Sequence, residues 1–517
     1  MVKGYKNNER LKEYIGNNLD KIGIDESFKP LIVDVMLRRF SEFDFSPQEI
    51  YADMTALVNN LKTIEVGKMP QQYNTAAGLY YSDSKKILIA EDCIKNAKTQ
   101  EDFETLYEIF THELFHSLAR DKDGNPKIST ANKYTNVAYF SLEEAIVEKA
   151  ADRCVFGRTF NEGNAPFFHQ NQFGYNDITY ITDIIEASYG VTEKAFLRNA
   201  IQGRKYAEEF LAAIAGEKEE ESLDFLDRIE LNYTTLHHAL YDKNVTQKNR
   251  VSMVKDGMIA GLLVSSWKLS ENIERLDVNA QNFEERIENF KYGHNKMYLV
   301  TKDAAKKFDY RFPFANISKE VFDAIHDTRE DNSFRINVLS NILKNRANIP
   351  ENDFVKLVEA AKTGKRDFGE EENLYEKYEI NLDAPEYIPL ESDSYLGFRY
   401  MDFETTNWDN SQLPEELRNV FNVPEKSDIN FLDKIKEMFE KAKKYMTGKN
   451  KEPKALGPGK EENDHPKQSS SWGQLSEEDM EKFNKGMENV LKQRNKREQE
   501  VDANAIKYED TERDGLE

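Results

Sequence analysis

The run Thr111-His112-Glu113-Leu114-Phe115-His116-Ser117-Leu118 decides how the chain around it is read. It has the form His-Glu-x-x-His and sits in a stretch whose pattern predicts a helix. Thr99 can cap that helix, with Asp102 three residues on as its capping-box partner. Apolar residues then recur at Phe103, Leu106, Phe110, Leu114 and Leu118, the three-to-four spacing of one buried helical face. On such a helix His112 and His116, four apart, stand one above the other on the same side. Two imidazoles so placed can share one zinc ion, and Glu113 beside them is placed to take a proton from a water held there. With only 8 histidines in 517 residues, a chance frame of this kind is rare, and a solvated helix face that merely carries two histidines is the weaker reading.

Upstream, Gly78-Leu79-Tyr80-Tyr81 and Lys86-Ile87-Leu88-Ile89 are β-prone runs separated by the turn-rich Ser82-Asp83-Ser84-Lys85. They predict a hairpin just before the motif helix, either as scaffold or as an edge that holds an extended peptide by main-chain hydrogen bonds. Downstream, a catalytic zinc needs a third protein ligand and one open position. A loop (Asp121-Lys122-Asp123-Gly124-Asn125-Pro126) leads into Ser141–Asp152, a second expected helix that carries four acids, Glu143, Glu144, Glu148 and Asp152. Its Ala145, Ala150 and Ala151 suit close packing against another helix, and Cys154 reads as a buried structural thiol.

His-Glu-x-x-His followed by a helix reading Glu-Glu-Ala-Ile-Val-Glu resembles the gluzincin metallopeptidases, the thermolysin-like and aminopeptidase-like group, over roughly residues 76 to 155. The resemblance implies a Zn²⁺ cofactor held by His112, His116 and Glu144, with Glu113 as catalytic general base, a peptide or protein as substrate, and Glu148 hydrogen-bonding a ligand histidine from behind. Two departures stand out: Glu143 replaces the usual asparagine, and the third ligand follows His116 by 28 residues, a longer interval than in the best-known members. Glu148-Lys149-Ala150-Ala151-Asp152 also resembles the acid-plus-alanine helix of regulatory ImmA/IrrE-like metallopeptidases, under which Glu148 would hold the zinc instead. Gluzincins place a Tyr or His across the cleft as oxyanion donor, for which His169, Tyr175, Tyr180 and Tyr189 are the candidates.

A net charge of -23 with 32% charged residues argues against nucleic acid or an anionic membrane as partner, since both select basic faces. Two cysteines, Cys93 and Cys154, make no disulfide framework. The first ten residues lack the apolar core of a signal peptide, and the longest apolar run, Met258 to Val264, is too short to span a bilayer. The expectation is a cytoplasmic protein, with export by a route that needs no signal peptide left open.

The fold class expected is α+β and predominantly helical, with length for two to four domains. A zincin-like domain with a small β-sheet would occupy residues 1–216. It would include an N-terminal layer of helices (Glu9–Ile15, Pro30–Phe40, Pro47–Leu61) and a helical lower half (Asn176–Ser188, Thr192–Gly216). The acidic run Glu217–Glu221 would be a solvated boundary. Residues 217–447 would form a mostly helical accessory domain, ending in an amphipathic helix at Asp428–Tyr445, and residues 448–517 a low-complexity, largely disordered tail that could still form a charged helix near Ser476–Glu498. The accessory region or the tail would offer a surface to a protein partner. The adjacent His237 and His238 do not share a helical face. A rival to the peptidase reading is a helical interaction or assembly protein with a vestigial or structural metal site.

Overall fold

The computed structural model describes residues 8–73, 76–156, 178–241, 244–280, 282–369, 372–390 and 410–421. The stretch containing His169 and Tyr175, the helices expected at 428–445 and 476–498, and the tail 448–517 lie outside the described residues.

The chain is predominantly helical with one small sheet. Three helices open it: α1 (Glu9–Leu19), α2 (Lys29–Glu42) and α3 (Pro47–Asn60). The α3 start is set by the Ser46–Glu49 capping box with Pro47 in the first turn, as the sequence predicts. α1 runs a turn beyond its expected end because Leu19 is buried with Leu11 and Ile15. Three strands follow, β1 (Thr63–Gly67), β2 (Gly78–Tyr81) and β3 (Lys86–Ala90), in the sheet order β1-β3-β2. The expected hairpin is antiparallel β2–β3, pairing Gly78 with Ile89 and Tyr81 with Lys86. β1 was not expected, although Thr63-Ile64-Glu65-Val66-Gly67 alternates polar and apolar residues; of the five only Ile64 is buried.

Helices make up the remainder: α4 (Glu91–Asn96), α5 (Gln100–Leu118), α6 (Ser141–Phe156), α7 (Tyr180–Tyr189), α8 (Glu193–Ala200), α9 (Arg204–Ala215), α10 (Glu219–Tyr241), α11 (Gln247–Glu274), α12 (Phe283–Arg311), α13 (Ile317–Lys344), α14 (Glu351–Lys362), α15 (Leu374–Lys377) and α16 (Glu415–Phe421). The helix expected over Thr192–Gly216 is two, because Gly203 breaks it with φ 139°, a backbone region that favours glycine.

By internal contacts the described residues form two compact units. One comprises residues 8–68, 90–97 and 410–421; the other, described residues from 69–89 and 98–401. This partition differs from the consecutive segments 1–216 and 217–447 read from the sequence. In the first unit α1–α3 enclose an apolar interior crossed by a buried ion pair, Arg39 to Asp53 at 2.6 Å.

The second unit contains the motif. Of the acidic run expected as a solvated boundary, Lys218, Glu219 and Glu220 are exposed, but Glu217 at its start is drawn into a polar knot. The Glu217 side chain is buried and accepts hydrogen bonds from Tyr189 Oη (2.8 Å), Ser222 Oγ (2.6 Å) and Arg275 (2.6 Å), with Lys268 paired to it as well. A charge run reads as solvated only if no neighbour returns to meet it, and α11 does. α7 and α12 cross at very close range through two glycines. Gly190 ends α7 in the left-handed region (φ 66°), and a Cβ on it would lie 2.0 Å from the Asn289 carbonyl oxygen; one on Gly293 would lie 2.6 Å from that of Ala187.

α6 is fixed from its far side by a buried ionic cluster. Lys149 and Arg153 of α6 reach Glu193 (3.3 and 3.1 Å), and Lys296 of α12 reaches Asp183 (2.8 Å) and Glu186 (3.1 Å) of α7. Ligand oxygens of Asp183, Glu186 and Glu193 lie within 4.8 Å of one another, but three buried cations already answer these three acids. That cluster is a structural tie.

Candidate metal centre

α5 forms where the sequence predicts it, with Thr99 accepting from the Asp102 N–H and Asp102 accepting from the Thr99 N–H. Its apolar face, including Phe110, Leu114 and Leu118, is buried, which fixes the helix rotation and turns His112 and His116 toward α6. α6 in turn buries Ala145, Ala150 and Ala151, small enough for the two helices to approach closely.

The two helices bring three ligand-type atoms to one point. His112 Nε2 and His116 Nε2 are 3.0 Å apart, and Glu144 Oε2 lies 3.3 Å from the first and 3.2 Å from the second. A tetrahedral zinc with ligand bonds of about 2.0–2.1 Å separates its ligand atoms by about 3.3 Å. The observed triangle has that size, with the ring nitrogens slightly closer.

Each imidazole has a carboxylate behind it. Glu148 Oε2 lies 2.7 Å from His112 Nδ1, and Glu143 Oε1 lies 3.2 Å from His116 Nδ1. A carboxylate at Nδ1 favours the tautomer whose Nε2 lone pair faces the triangle. Glu148 therefore stands on the opposite side of the His112 ring from the shared point, while Glu144 stands at it. Asp152, the fourth acid, is hydrogen-bonded instead with Glu108, and burial pushes its carboxyl up to about 6, with Glu148 adding to the rise.

The site is rich in negative charge. Four carboxylates, those of Glu113, Glu143, Glu144 and Glu148, surround two imidazoles and one guanidinium, Arg120. Burial pulls His116 down, but the Glu144 charge and hydrogen bonds to Glu143 and Glu144 outweigh it and hold the ring at about 10. Burial likewise pushes Glu144 up, and the two imidazoles override it, leaving the carboxyl well below its usual range. With more carboxylates than fixed cations around it, the site has the charge to accept a dication, and its two nitrogens and one oxygen are a donor set that suits zinc.

Glu113, one residue along α5 from His112, lies against β2. It is buried, and the loss of water raises its carboxyl, an effect partly offset by the imidazoles and by the Tyr80 backbone N–H, which donates to it. The contact is so close that a Cβ on Gly78 would meet Glu113 Cγ at 2.6 Å. Among the described residues β2 is an edge of its sheet.

Sequence reading singled out His112, Glu113, His116, Glu144 and Glu148, and the structure brings all five together. Of the oxyanion candidates, Tyr180 Oη donates to Asp303 (3.2 Å) and Tyr189 Oη to Glu217, while His169 and Tyr175 lie outside the described residues. The structure adds Glu143 behind His116, Arg120 and Ser129 on Glu143, and Gly78 and the Tyr80 N–H on Glu113. Arg120 carried a signal: it follows His116 by four residues, so a helical reading places it on the same face.

No family model, curated protein or solved structure matches this chain. Among the described residues no helix is long and apolar enough to cross a membrane.

Proposed function

We propose that this chain is a zinc-dependent peptidase of the His-Glu-x-x-His type, with His112, His116 and Glu144 as metal ligands. The observation that carries the reading is the Nε2–Nε2–Oε2 triangle, 3.0 to 3.3 Å on its edges, with Glu113 on the next position of the same helix. A zinc held there supplies an acidified water, of pKa about 7, and a Lewis acid for the scissile carbonyl. Glu113 accepts the proton of the attacking water on its carboxylate and delivers it to the leaving amine. Its burial raises its basicity for that task, and the Tyr80 N–H fixes its orientation. Glu148 orients His112. An extended peptide laid along β2 would reach the Glu113 carboxylate by pairing with the strand edge that already touches it.

Zinc content by elemental analysis of wild type, Glu144→Ala and Glu148→Ala tests the ligand set. The expected result is one zinc per chain, lost in Glu144→Ala and retained at weaker affinity in Glu148→Ala. Zinc lost only with Glu148→Ala would move the ligand one turn along α6, and a folded wild type without zinc would overturn the reading. Peptide-library cleavage by the zinc-loaded protein, falling on the order of 10²–10⁴-fold in Glu113→Gln, tests the chemistry. Bound zinc with no cleavage of any peptide would favour the interaction-protein alternative.

A further inference from the structure

Glu143 is the most deeply buried acid of the site: its side chain is 1% exposed. A bare carboxylate at such a position costs several kcal/mol, so its partners decide why it is there. It has four. Oε1 receives His116 Nδ1 (3.2 Å) and Arg120 Nη2 (3.1 Å); Oε2 receives Arg120 Nη1 (3.2 Å) and Ser129 Oγ (2.7 Å). The guanidinium grips both oxygens, and each keeps one further donor.

This arrangement requires a group that accepts on both atoms. An amide of the same length would turn an NH₂ toward Arg120 on one side, donor against donor. The asparagine implied at this position by the gluzincin resemblance therefore does not suit the surroundings this chain has built. Those surroundings are themselves fixed. Arg120 follows the end of α5, and the Asp121–Asn125 turn folds back so that the Lys127 N–H donates to the Ala119 carbonyl (2.9 Å), which returns the chain to bring Ser129 over Glu143.

We infer that Glu143, locked by Arg120 and Ser129, is an anionic positioning residue for His116, so that both ligand imidazoles of the centre are backed by carboxylates. The inference rests on the metal-site reading proposed above. Glu143 stabilises the His116 tautomer that presents Nε2 to the triangle and raises the donor strength of that nitrogen. Arg120 neutralises the buried carboxylate without taking the oxygen that faces the ring. The two histidines then differ in their backing: the Glu148 side chain is 15% exposed and carries no guanidinium clamp among the contacts described, whereas Glu143 is sealed and clamped.

The test compares wild type, Glu143→Gln and the double variant Glu143→Gln/Arg120→Gln in the full chain. Zinc affinity is read by chelator competition, stability by thermal unfolding of the metal-free protein, and the ligand field by the visible spectrum of the cobalt-loaded protein. Glu143→Gln should lose zinc affinity on the order of 10–100-fold, shift the cobalt bands, and lower stability because Arg120 is left without its counter-charge. The double variant should recover much of the stability yet keep the weakened affinity and the shifted bands, because the charge behind His116 is still missing. Recovery of affinity together with stability would overturn the inference and make Glu143 a purely structural residue. Wild-type affinity and spectrum in both variants would overturn it equally, while leaving the zinc site itself standing. A wild type that takes up neither zinc nor cobalt would remove the metal-site reading and this inference with it.

Discussion

Gly78 and Glu113 contend for the same volume: a Cβ on the glycine would lie 2.6 Å from the glutamate Cγ and 2.8 Å from its Oε1. The strand lacks a side chain at the point where the helix presents its carboxylate. Cγ is near the root of the side chain, so the glutamate cannot yield by moving its tip alone. Gly78→Ala should therefore displace Glu113 while leaving the His112–His116–Glu144 triangle intact. The expected outcome is unchanged zinc content with peptidase activity down on the order of 10²-fold, the cost of misplacing a catalytic group by about 1 Å. Activity at the wild-type level would show that Glu113 is not positioned by β2.

The crossing of α7 and α12 makes a second prediction with a sign that propensity alone would get wrong. Gly293 lies inside a 29-residue helix, where alanine is worth about 1 kcal/mol more than glycine. Its Cβ, however, would lie 2.6 Å from the Ala187 carbonyl oxygen and 3.1 Å from Gly190 Cα, backbone atoms that move only if the helices separate. Gly293→Ala should be destabilising by about 1–3 kcal/mol in denaturant unfolding. A gain in stability would contradict the crossing.

Lys296 is fully buried between Asp183 and Glu186. Lys296→Met keeps the side-chain bulk but removes the nearest cation from both carboxylates, leaving Asp183 to Lys149 at 3.6 Å and Glu186 to Tyr292 Oη at 3.3 Å, and should cost about 3 kcal/mol by chemical denaturation. Since these acids also belong to the cluster that holds Lys149 of α6, zinc affinity should weaken in the same variant, although Lys296 touches no metal ligand.

His294 supplies the pH dependence. Burial, aided by the nearby Arg329 charge, pulls it to about 4, against the partial support of hydrogen bonds to the Pro385 and Glu386 backbone. The unfolded chain binds a proton at this residue below about pH 6.5, and the folded chain does so only near 4. Stability is thus unaffected above pH 6.5 and falls as the pH drops from 6.5 towards 4, by about 3 kcal/mol from this group. Unfolding free energies of metal-free wild type and His294→Gln should converge over that window, the variant lacking this loss. Parallel profiles would show that His294 titrates normally.

The legible part of the site was the part written in local spacing. His112 and His116 are four apart on a helix whose cap and apolar stripe are both in the sequence, and Glu144 followed from the likeness of the next helix. What escaped was everything that depends on the chain returning to itself. The role of Glu143 is set by Arg120 and Ser129, brought over it by a turn closed through main-chain bonds, and nothing in the letters announces that closure. Glu217 illustrates the same limit in the fold: its acidic run reads as solvent-facing, and Lys218 to Glu220 are exposed, but Lys268 of α11 and Arg275 at its end draw the Glu217 side chain inside. β1 was missed although Ile64 and Val66 flank Glu65 in a two-residue alternation, a run of five too short to stand out. The helical character, by contrast, was plain in the 3.6-residue pattern, and the hairpin in two β-prone runs about a turn-rich interval.

One helix in this protein answers to two masters. α6 presents Glu143, Glu144 and Glu148 to the histidines and Lys149 and Arg153 to the acids of α7 and α8. Each residue advances an α-helix by about 100°, so a single insertion or deletion between Glu144 and Lys149 would rotate the residues after it away from their partners while those before it stay engaged. A substitution in this segment removes one contact, whereas a change of length moves every contact that follows it. Across any lineage of this protein, the interval from Glu143 to Arg153 should keep its length.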